Sequence, residues 1–139
     1  MTKCSLLIFF LAVFTLSGKD FYIGRLKYDG GGDWYSSPSA LNNLLQFVSD
    51  NTGIECAEME AVVTVNDNLS SFPYLYLTGH GTIDMTDNEA QIIRSHLTRG
   101  GFLHADDNYG LNESFRKVVK KYSPIKNLHR YLSVIRYTT

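Results

Sequence analysis

Cysteine is scarce in this sequence, which excludes the protein classes that depend on it. Only Cys4 and Cys56 occur among the 139 residues. Two cysteines, one of them close to the amino terminus, provide neither a disulfide framework nor the paired C-x-x-C spacing of zinc and redox sites. The fold must therefore rest on an apolar core, and we expect Cys56 to be a small residue of that core rather than a nucleophile.

An excess of charge of either sign is also absent. Lysine and arginine number 13 against 14 aspartates and glutamates, which gives a formal net charge of −1. Such a chain has no overall field that would recruit nucleic acid or an anionic membrane surface, and we expect no nucleic-acid partner. Hydrophobic residues at 44% and charged residues at 19% are instead typical of one globular domain.

No apolar segment is long enough to cross a bilayer, which takes roughly 20 residues. The longest run, residues 4–16, follows the basic residue Lys3 and precedes small residues, which is the pattern of a secretory signal peptide. We therefore predict a signal peptide at 1–18 and a single α/β domain at 19–139. The mature protein is expected to be periplasmic or secreted, with no stable membrane insertion after signal removal. An uncleaved membrane anchor at the amino terminus is the alternative.

Strand-like and helix-like segments alternate along the rest of the chain. Runs rich in aromatic, β-branched and other apolar residues predict strands at 21–28, 61–65, 74–77 and 102–105. Apolar residues at helical spacing predict three helices, which begin at a Ser37-Pro38 cap, at a Thr86/Glu89 capping box and at an Asn112 N-cap. Helices long enough to cross over between parallel strands indicate a three-layer α/β fold, with a mostly parallel sheet covered on both faces. Residues 132–137 form a candidate last strand.

Polar residues beside glycine follow three of the predicted strands. The first strand leads into a triple glycine followed by Asp33 and two aromatic residues, the third into a Thr-Gly-His-Gly sequence, and the fourth into two aspartates. Ligands of open parallel sheets bind beyond the carboxyl ends of the strands. We therefore expect Asp33, His80 and Asp106 to lie at one edge of the sheet, with Trp34 or Tyr109 as a wall. The full set of candidate ligand-binding residues is Gly30, Gly31, Gly32, Asp33, Trp34, Tyr35, Thr78, His80, Asp106, Asp107 and Tyr109.

Three residues of this set are candidates for general acid–base catalysis: His80, Asp106 and Asp107. No metal site is expected, because the spacing matches no zinc signature. No cofactor is expected, because the glycine run matches neither a Walker loop nor G-x-G-x-x-G. No nucleophile is identified, because neither candidate turn, 78–81 or 106–110, has a serine or cysteine at a nucleophile elbow. The alternative is structural, since aspartates at strand ends often cap the next helix or bond loop amides. Whether the protein is an enzyme stays open.

Two further histidines fall within predicted elements. His96 is expected on the solvent face of a helix, and His104 inside a strand, in the core. We assign neither of them to the candidate site.

Three glycine- and aromatic-rich stretches follow a known family pattern. They are Arg25–Tyr35 with its triple glycine, Pro73–Gly81 with its Thr-Gly-His-Gly turn, and Gly100–Gly110 with its paired aspartates. Together they resemble the bacterial family called domain of unknown function 4159, over residues 21–122. The resemblance implies a class I glutamine-amidotransferase-like or flavodoxin-like fold and no established activity. After Tyr122 the chain departs from the family pattern and is short at its carboxyl end.

These observations lead to one functional expectation and two alternatives. We expect an exported α/β domain that binds a small polar ligand, such as a sugar or peptide fragment of the cell envelope, at the carboxyl edge of the sheet. Amidotransferase activity is not expected, because no cysteine lies in either of the two turns, 78–81 and 106–110, that could form a nucleophile elbow. The alternatives are a hydrolase that depends on His80 and an aspartate, and a structural assembly module of the envelope.

Overall fold

Strands and helices alternate in the computed structural model, which describes residues 21–122. The strands are β1 (Ile23–Leu26), β2 (Ala61–Val63), β3 (Tyr74–His80) and β4 (Phe102–Tyr109), and the helices are α1 (Ala40–Asn51), α2 (Asp87–Thr98) and α3 (Leu111–Tyr122). A 3-10 turn at Leu69–Ser71 precedes β3. The predicted signal peptide at 1–18 and the candidate strand at 132–137 lie outside the described residues.

The four described strands form one parallel sheet in the order β2-β1-β3-β4. Parallel sheets are covered on both faces, and two separate apolar clusters provide that cover. On one face Leu41 and Leu45 of α1 pack against Ile23 and Tyr76. On the other face α2 and α3 pack against Leu77 and the rest of the larger cluster. The predicted α/β class, with a parallel sheet between helical layers, is confirmed.

The strand order reverses direction between β1 and β3. From β1 the chain moves outward to β2, and then returns past β1 to pair β3 on the other side. Connections that leave two adjacent parallel strands in opposite directions open a crevice at their carboxyl ends, and ligands of this class of sheet bind there. The fold therefore places the residues that follow β1 and β3 at this crevice.

Helix α2 begins as its sequence predicts. Thr86 Oγ1 accepts a hydrogen bond from the Glu89 amide at 3.2 Å, and Glu89 Oε2 accepts one from the Thr86 amide at 2.8 Å. The capping box is therefore confirmed. The helix ends before Gly100, whose φ of 96° is accessible to glycine at little cost.

The predicted starts of the other two helices are wrong. Helix α1 begins at Ala40 rather than after a Ser37 cap, because Ser37 has a φ of 56° and its carbonyl accepts a hydrogen bond from Arg25. Helix α3 begins at Leu111, and the side chain that caps it is that of Asp107 rather than Asn112. The Asp107 carboxylate accepts hydrogen bonds from the amides of Leu111 and Asn112. In both cases a contact beyond the local motif decides where the helix starts.

The prediction that His96 faces solvent is also wrong. Its side chain is buried near the end of α2, where a Cβ atom at Gly101 would overlap the imidazole ring. Gly101 therefore leaves space for the His96 ring, whereas the helical pattern alone predicts that this ring is exposed to solvent. His104 is only half-buried, and its Nδ1 lies 2.6 Å from the Tyr74 hydroxyl. Cys56 is partly buried against the smaller apolar cluster.

No helix within residues 21–122 combines the length and apolar character needed to cross a membrane.

Candidate functional site

The loop between β1 and α1 is held in place by a buried arginine. Arg25 is only 2% exposed, and its Nε lies 2.8 Å from Glu60 Oε2. Its Nη1 donates to the Ser36 carbonyl at 2.8 Å and its Nη2 to the Ser37 carbonyl at 3.2 Å. One guanidinium thus fixes the loop that carries Asp33 over the end of β3, and its charge is balanced by Glu60.

Asp33 and His80 meet at the carboxyl ends of β1 and β3. Asp33 Oδ2 lies 3.0 Å from His80 Nδ1, and Asp33 Oδ1 accepts a short hydrogen bond from the His80 amide. This pair joins the loop after β1 to the end of β3, so it sits in the crevice where the strand order reverses. Asp33 is 32% exposed and His80 57% exposed, so the pair is accessible from solvent.

The contact between the two side chains determines which hydrogen-bonding role each of them takes. The hydrogen bond from the His80 amide, and then that from its side chain, hold the pKa of Asp33 below its usual value. An ionised carboxylate only accepts hydrogen bonds, so His80 donates from Nδ1–H, and Nε2 is the acceptor in the corresponding neutral tautomer. The arrangement gives an oriented imidazole whose second nitrogen can accept a proton or a ligand hydroxyl hydrogen.

Two glycines allow the crevice walls to approach each other. The Tyr28 hydroxyl donates to the Thr78 carbonyl at 3.0 Å, and a Cβ atom at either Gly32 or Gly79 would overlap that hydroxyl. Burial, and then the charge of Asp33, raise the pKa of Tyr28 to about 12, so its hydroxyl stays protonated. Part of the glycine pattern therefore serves close packing behind the Asp33–His80 pair.

Asp106 lies at the same edge of the sheet, with a different partner. Its Oδ2 accepts a hydrogen bond from the Tyr76 hydroxyl at 2.7 Å, and burial followed by this bond raises the pKa of Tyr76 to about 12. Thr78 pairs with Asp106 in the β3–β4 register. Both Asp106 Oδ1 and Thr78 Oγ1 are buried without a hydrogen-bond partner, which is costly for polar atoms. This part of the edge has unused hydrogen-bonding capacity.

Asp107 occupies the other face of β4, since successive strand residues alternate between faces. Its carboxylate accepts hydrogen bonds from the Leu111 amide at 2.9 Å and the Asn112 amide at 3.1 Å. These amides belong to the first turn of α3. The geometry gives Asp107 the helix-capping role that was the structural alternative for the aspartates at strand ends.

The aromatic residues of the edge differ in exposure. Trp34 is partly buried against the larger core cluster, with Lys27 Nζ 5.5 Å from its ring centroid. Tyr35 is 63% exposed and stands edge-on to Trp34, and Tyr109 is 81% exposed at the end of β4. The two exposed tyrosines, rather than Trp34, offer ring faces to a ligand.

The glycine run after β1 is tied to the segment after β3. The Gly32 amide donates to the Thr82 carbonyl at 2.9 Å, and the Thr82 hydroxyl makes a short hydrogen bond to the Gly30 carbonyl. Gly30 and Gly31 have φ values of 111° and 87°, which explains why glycine is needed there. Gly31 has open space around its Cα.

Sequence reasoning missed Arg25 and Tyr76, which position the loop and Asp106. The signal for Arg25 was an arginine within an otherwise apolar strand. The signal for Tyr76 was its alternation with Tyr74, which places both rings on one face of β3. Within residues 21–122 no group of three or more His, Cys, Asp and Glu side chains is arranged to hold a metal ion.

The fold and this edge define a class of protein: an open, all-parallel α/β domain of the Rossmann and flavodoxin-like type, with an Asp–His pair at its switch point. The family model named Domain of unknown function (DUF4159) matches residues 22–132. The chain belongs to that family, as its three glycine- and aromatic-rich stretches predict. No curated protein matches the chain.

Proposed function

We propose that this chain is an exported α/β domain that binds a small polar ligand in the crevice between the carboxyl ends of β1 and β3. The observation that carries the proposal is the Asp33–His80 pair, whose side chains are 3.0 Å apart and open to solvent at that position. A structural tether does not require the His80 side chain to be exposed, whereas contact with a ligand does. Amidotransferase chemistry is not part of the proposal, because neither the turn after β3 nor the one after β4 contains cysteine.

The chemistry of the crevice favours a neutral or cationic ligand. Asp29 and Asp84 form a backbone bridge beside the glycine run, and Asp33 follows that run. Lys27 is the nearby cation, and it stands over the Trp34 ring. Carboxylates and a histidine acceptor suit hydroxyl groups, and exposed tyrosine rings suit the apolar face of a sugar. A sugar or peptide fragment of the envelope fits this combination.

Ligand titrations followed by amide chemical shifts test the proposal. Envelope disaccharides and short envelope peptides are titrated into the protein, and we expect shifts at Gly79, His80 and Tyr35. Asp33→Asn keeps an acceptor for the His80 amide but removes the charge, and it should weaken binding about tenfold, as expected for loss of a charge-assisted hydrogen bond.

Asp50→Asn is the matched control, because Asp50 is an exposed carboxylate of α1 whose partner within residues 21–122 is Gln46. It should leave the affinity unchanged. Shifts confined to another surface, or equal affinities for the Asp33→Asn and Asp50→Asn proteins, would contradict a ligand site in the crevice.

A hydrolase is the second candidate function. The observation that favours it is the orientation of His80, whose Nδ1 bonds Asp33, which leaves Nε2 as the nitrogen that would act as a general base on water. Hydrolysis of the same envelope fragments should then fall roughly 10²- to 10⁴-fold in His80→Gln. Binding without turnover would support the ligand-binding domain. The absence of both binding and turnover would support the structural assembly module.

Export and the finer fold assignment are further parts of the proposal. The apolar run at 4–16 supports signal cleavage between about Ser17 and Lys19, and mass spectrometry of the protein from a native envelope fraction tests it. Intact Met1 in cytoplasmic material would contradict export. The sequence resemblance supports the class I glutamine-amidotransferase-like form of the parallel α/β class.

A further inference from the structure

A second cavity lies at the opposite edge of the sheet from the crevice. It has a volume of about 570 Å³, which is within the range of small-molecule sites. Its walls come from the turn at Leu69–Ser71, from the last turns of α2, and from Pro73 and Gly101, which precede β3 and β4. The cavity is therefore at the amino ends of these strands, and nothing in the proposed function uses it.

A buried histidine without a partner forms part of this cavity. The His96 side chain lines the cavity and is 9% exposed. Its Nε2 is buried and makes no hydrogen bond, which is an unfavourable state for a ring nitrogen. Gly101 lies directly beside the ring, where any Cβ atom would overlap it. Glycine at position 101 thus leaves space for the His96 imidazole, whose Nε2 makes no hydrogen bond.

The cavity lining carries one acidic and one basic side chain. Asp67 is the acidic residue of the lining, and its carboxylate already accepts hydrogen bonds from the Thr64 amide and hydroxyl. Arg99 is the lining cation, and among the described residues 21–122 its guanidinium has no ion pair or hydrogen bond. Guanidinium groups bind carboxylates with two parallel hydrogen bonds. A ligand that balances this charge carries an anionic group.

Part of the remaining wall is apolar, and the rest consists of two glycines and the polar residues Asn68, Ser70, Gln91 and Ser95. Leu69 is a buried member of the larger core cluster, and Ile92 packs against the same cluster from α2. Both side chains line the cavity together with Pro73. A ligand that fills this space and also reaches Arg99 must have an apolar body of modest size.

We propose that this cavity binds a small monocarboxylate with an apolar body. Arg99 pairs with the carboxylate, Leu69 and Ile92 contact the body, and His96 supplies a ring nitrogen to the polar end. The planar carboxylate matches the guanidinium fork, and a single anionic group suits a lining with one uncommitted cation. The cavity and the crevice are at opposite edges of the sheet, so the two proposals stand or fall separately.

Phenylacetate is a suitable probe, and phenylacetamide is its uncharged counterpart. In titrations of the full chain followed by amide shifts, we expect phenylacetate to shift Ser95, His96 and Gly101. Phenylacetamide should bind about tenfold more weakly or not at all, since it lacks the charge. Arg99→Gln should reduce phenylacetate affinity to a similar extent.

Two further variants separate a specific site from general attraction. Arg94→Gln removes a cation from the same helix outside the cavity lining, and it should leave affinity unchanged. Ser95→Trp adds bulk at an exposed position of the lining and should abolish binding while the chain stays folded. No binding at millimolar phenylacetate, equal affinity for the amide, or equal losses in the Arg99→Gln and Arg94→Gln proteins would each overturn the proposal.

Discussion

At the residue scale, Arg25 links the core of the sheet to the candidate site. Its side chain is in the central strand β1, yet its hydrogen bonds end on the carbonyls of Ser36 and Ser37 in the loop that carries Asp33. Glu60 provides the compensating charge from the segment before β2. The position of Asp33 over His80 therefore depends on the ion pair between Arg25 and Glu60.

We expect Arg25→Met to destabilise the chain by about 3–5 kcal/mol, because it leaves the Glu60 carboxylate buried without its partner. Chemical unfolding measures this loss. Lys117→Met is the matched control, since Lys117 and Glu113 form an ion pair on the exposed surface of α3, and such pairs contribute about 1 kcal/mol or less. Similar losses for the two variants would show that the Arg25 ion pair does not hold the loop.

Gly79 gives a second test at the residue scale. It has a φ of 150°, and a Cβ atom there would contact both the Tyr28 hydroxyl and Asp33. We expect Gly79→Ala to cost about 1–3 kcal/mol from overpacking and to weaken any ligand binding in the crevice. Gly53→Ala, at a position with open space, should change stability by less than about 0.5 kcal/mol. Thermal unfolding of both variants provides the comparison, and equal midpoints would rule out close packing at Gly79.

At the element scale, the length of β4 decides which aspartate belongs to the site. The strand continues to Tyr109, so Asp106 and Asp107 are both in the sheet and point to opposite faces. Asp106 bonds Tyr76 on the α1 side, and Asp107 caps α3 on the other side. Two adjacent residues of the same type thus have different roles because a strand alternates.

The buried His96 and the half-buried His104 make the stability of α2 and β4 dependent on pH. Burial lowers the pKa of His96 and of His104, so the folded chain binds fewer protons than the unfolded chain just below the unfolded value of about 6.5. Their contribution to stability is complete above about pH 6.5 and is lost as the pH falls toward the lowered values. We expect a lower urea midpoint at about pH 5 than at about pH 7.5.

Replacing both histidines with glutamine removes the titrating groups and should flatten this dependence. His96→Gln alone should remove part of it, because His104 still titrates. If the double variant loses as much stability on acidification as the original chain, other groups are responsible for the effect.

At the scale of the whole molecule, the sheet is stable at its centre and exposed at its edges. Strand β3 pairs on both sides and is buried at five consecutive positions, whereas β2 has three residues and pairs with β1 alone among the described strands. Central strands open only with global unfolding, and edge strands open locally. The crevice is built on the central pair, so its framework belongs to the most stable part of the fold.

Hydrogen exchange can test this distribution. We expect the amides of Leu75 and Leu77 in β3 to exchange most slowly, and that of Val62 in β2 to exchange much faster under native conditions. Val62 is 54% exposed, while Leu75 and Leu77 are fully buried. Equal protection of β2 and β3 would mean that the four strands open as a single unit.

Local sequence patterns are sufficient to predict the class of the fold, its family and one helix start. Alternating apolar runs and helical periods are local signals, and they predict a parallel α/β sheet without knowledge of any contact. The Thr86/Glu89 capping box is equally local, since both partners lie within four residues. The placement of polar residues at strand ends follows from the same reasoning, because the carboxyl ends of parallel strands share one edge.

The hydrogen bonds that those polar residues make depend on contacts between segments distant in the chain. Asp33 bonds His80 across 47 residues of chain, and Arg25 fixes the start of α1 by binding the carbonyl of Ser37. The burial of His96 likewise depends on Gly101, which lies outside the helix. Each of these outcomes depends on a partner that a local pattern does not specify, and packing against that partner overrides the local preference for a cap or an exposed face.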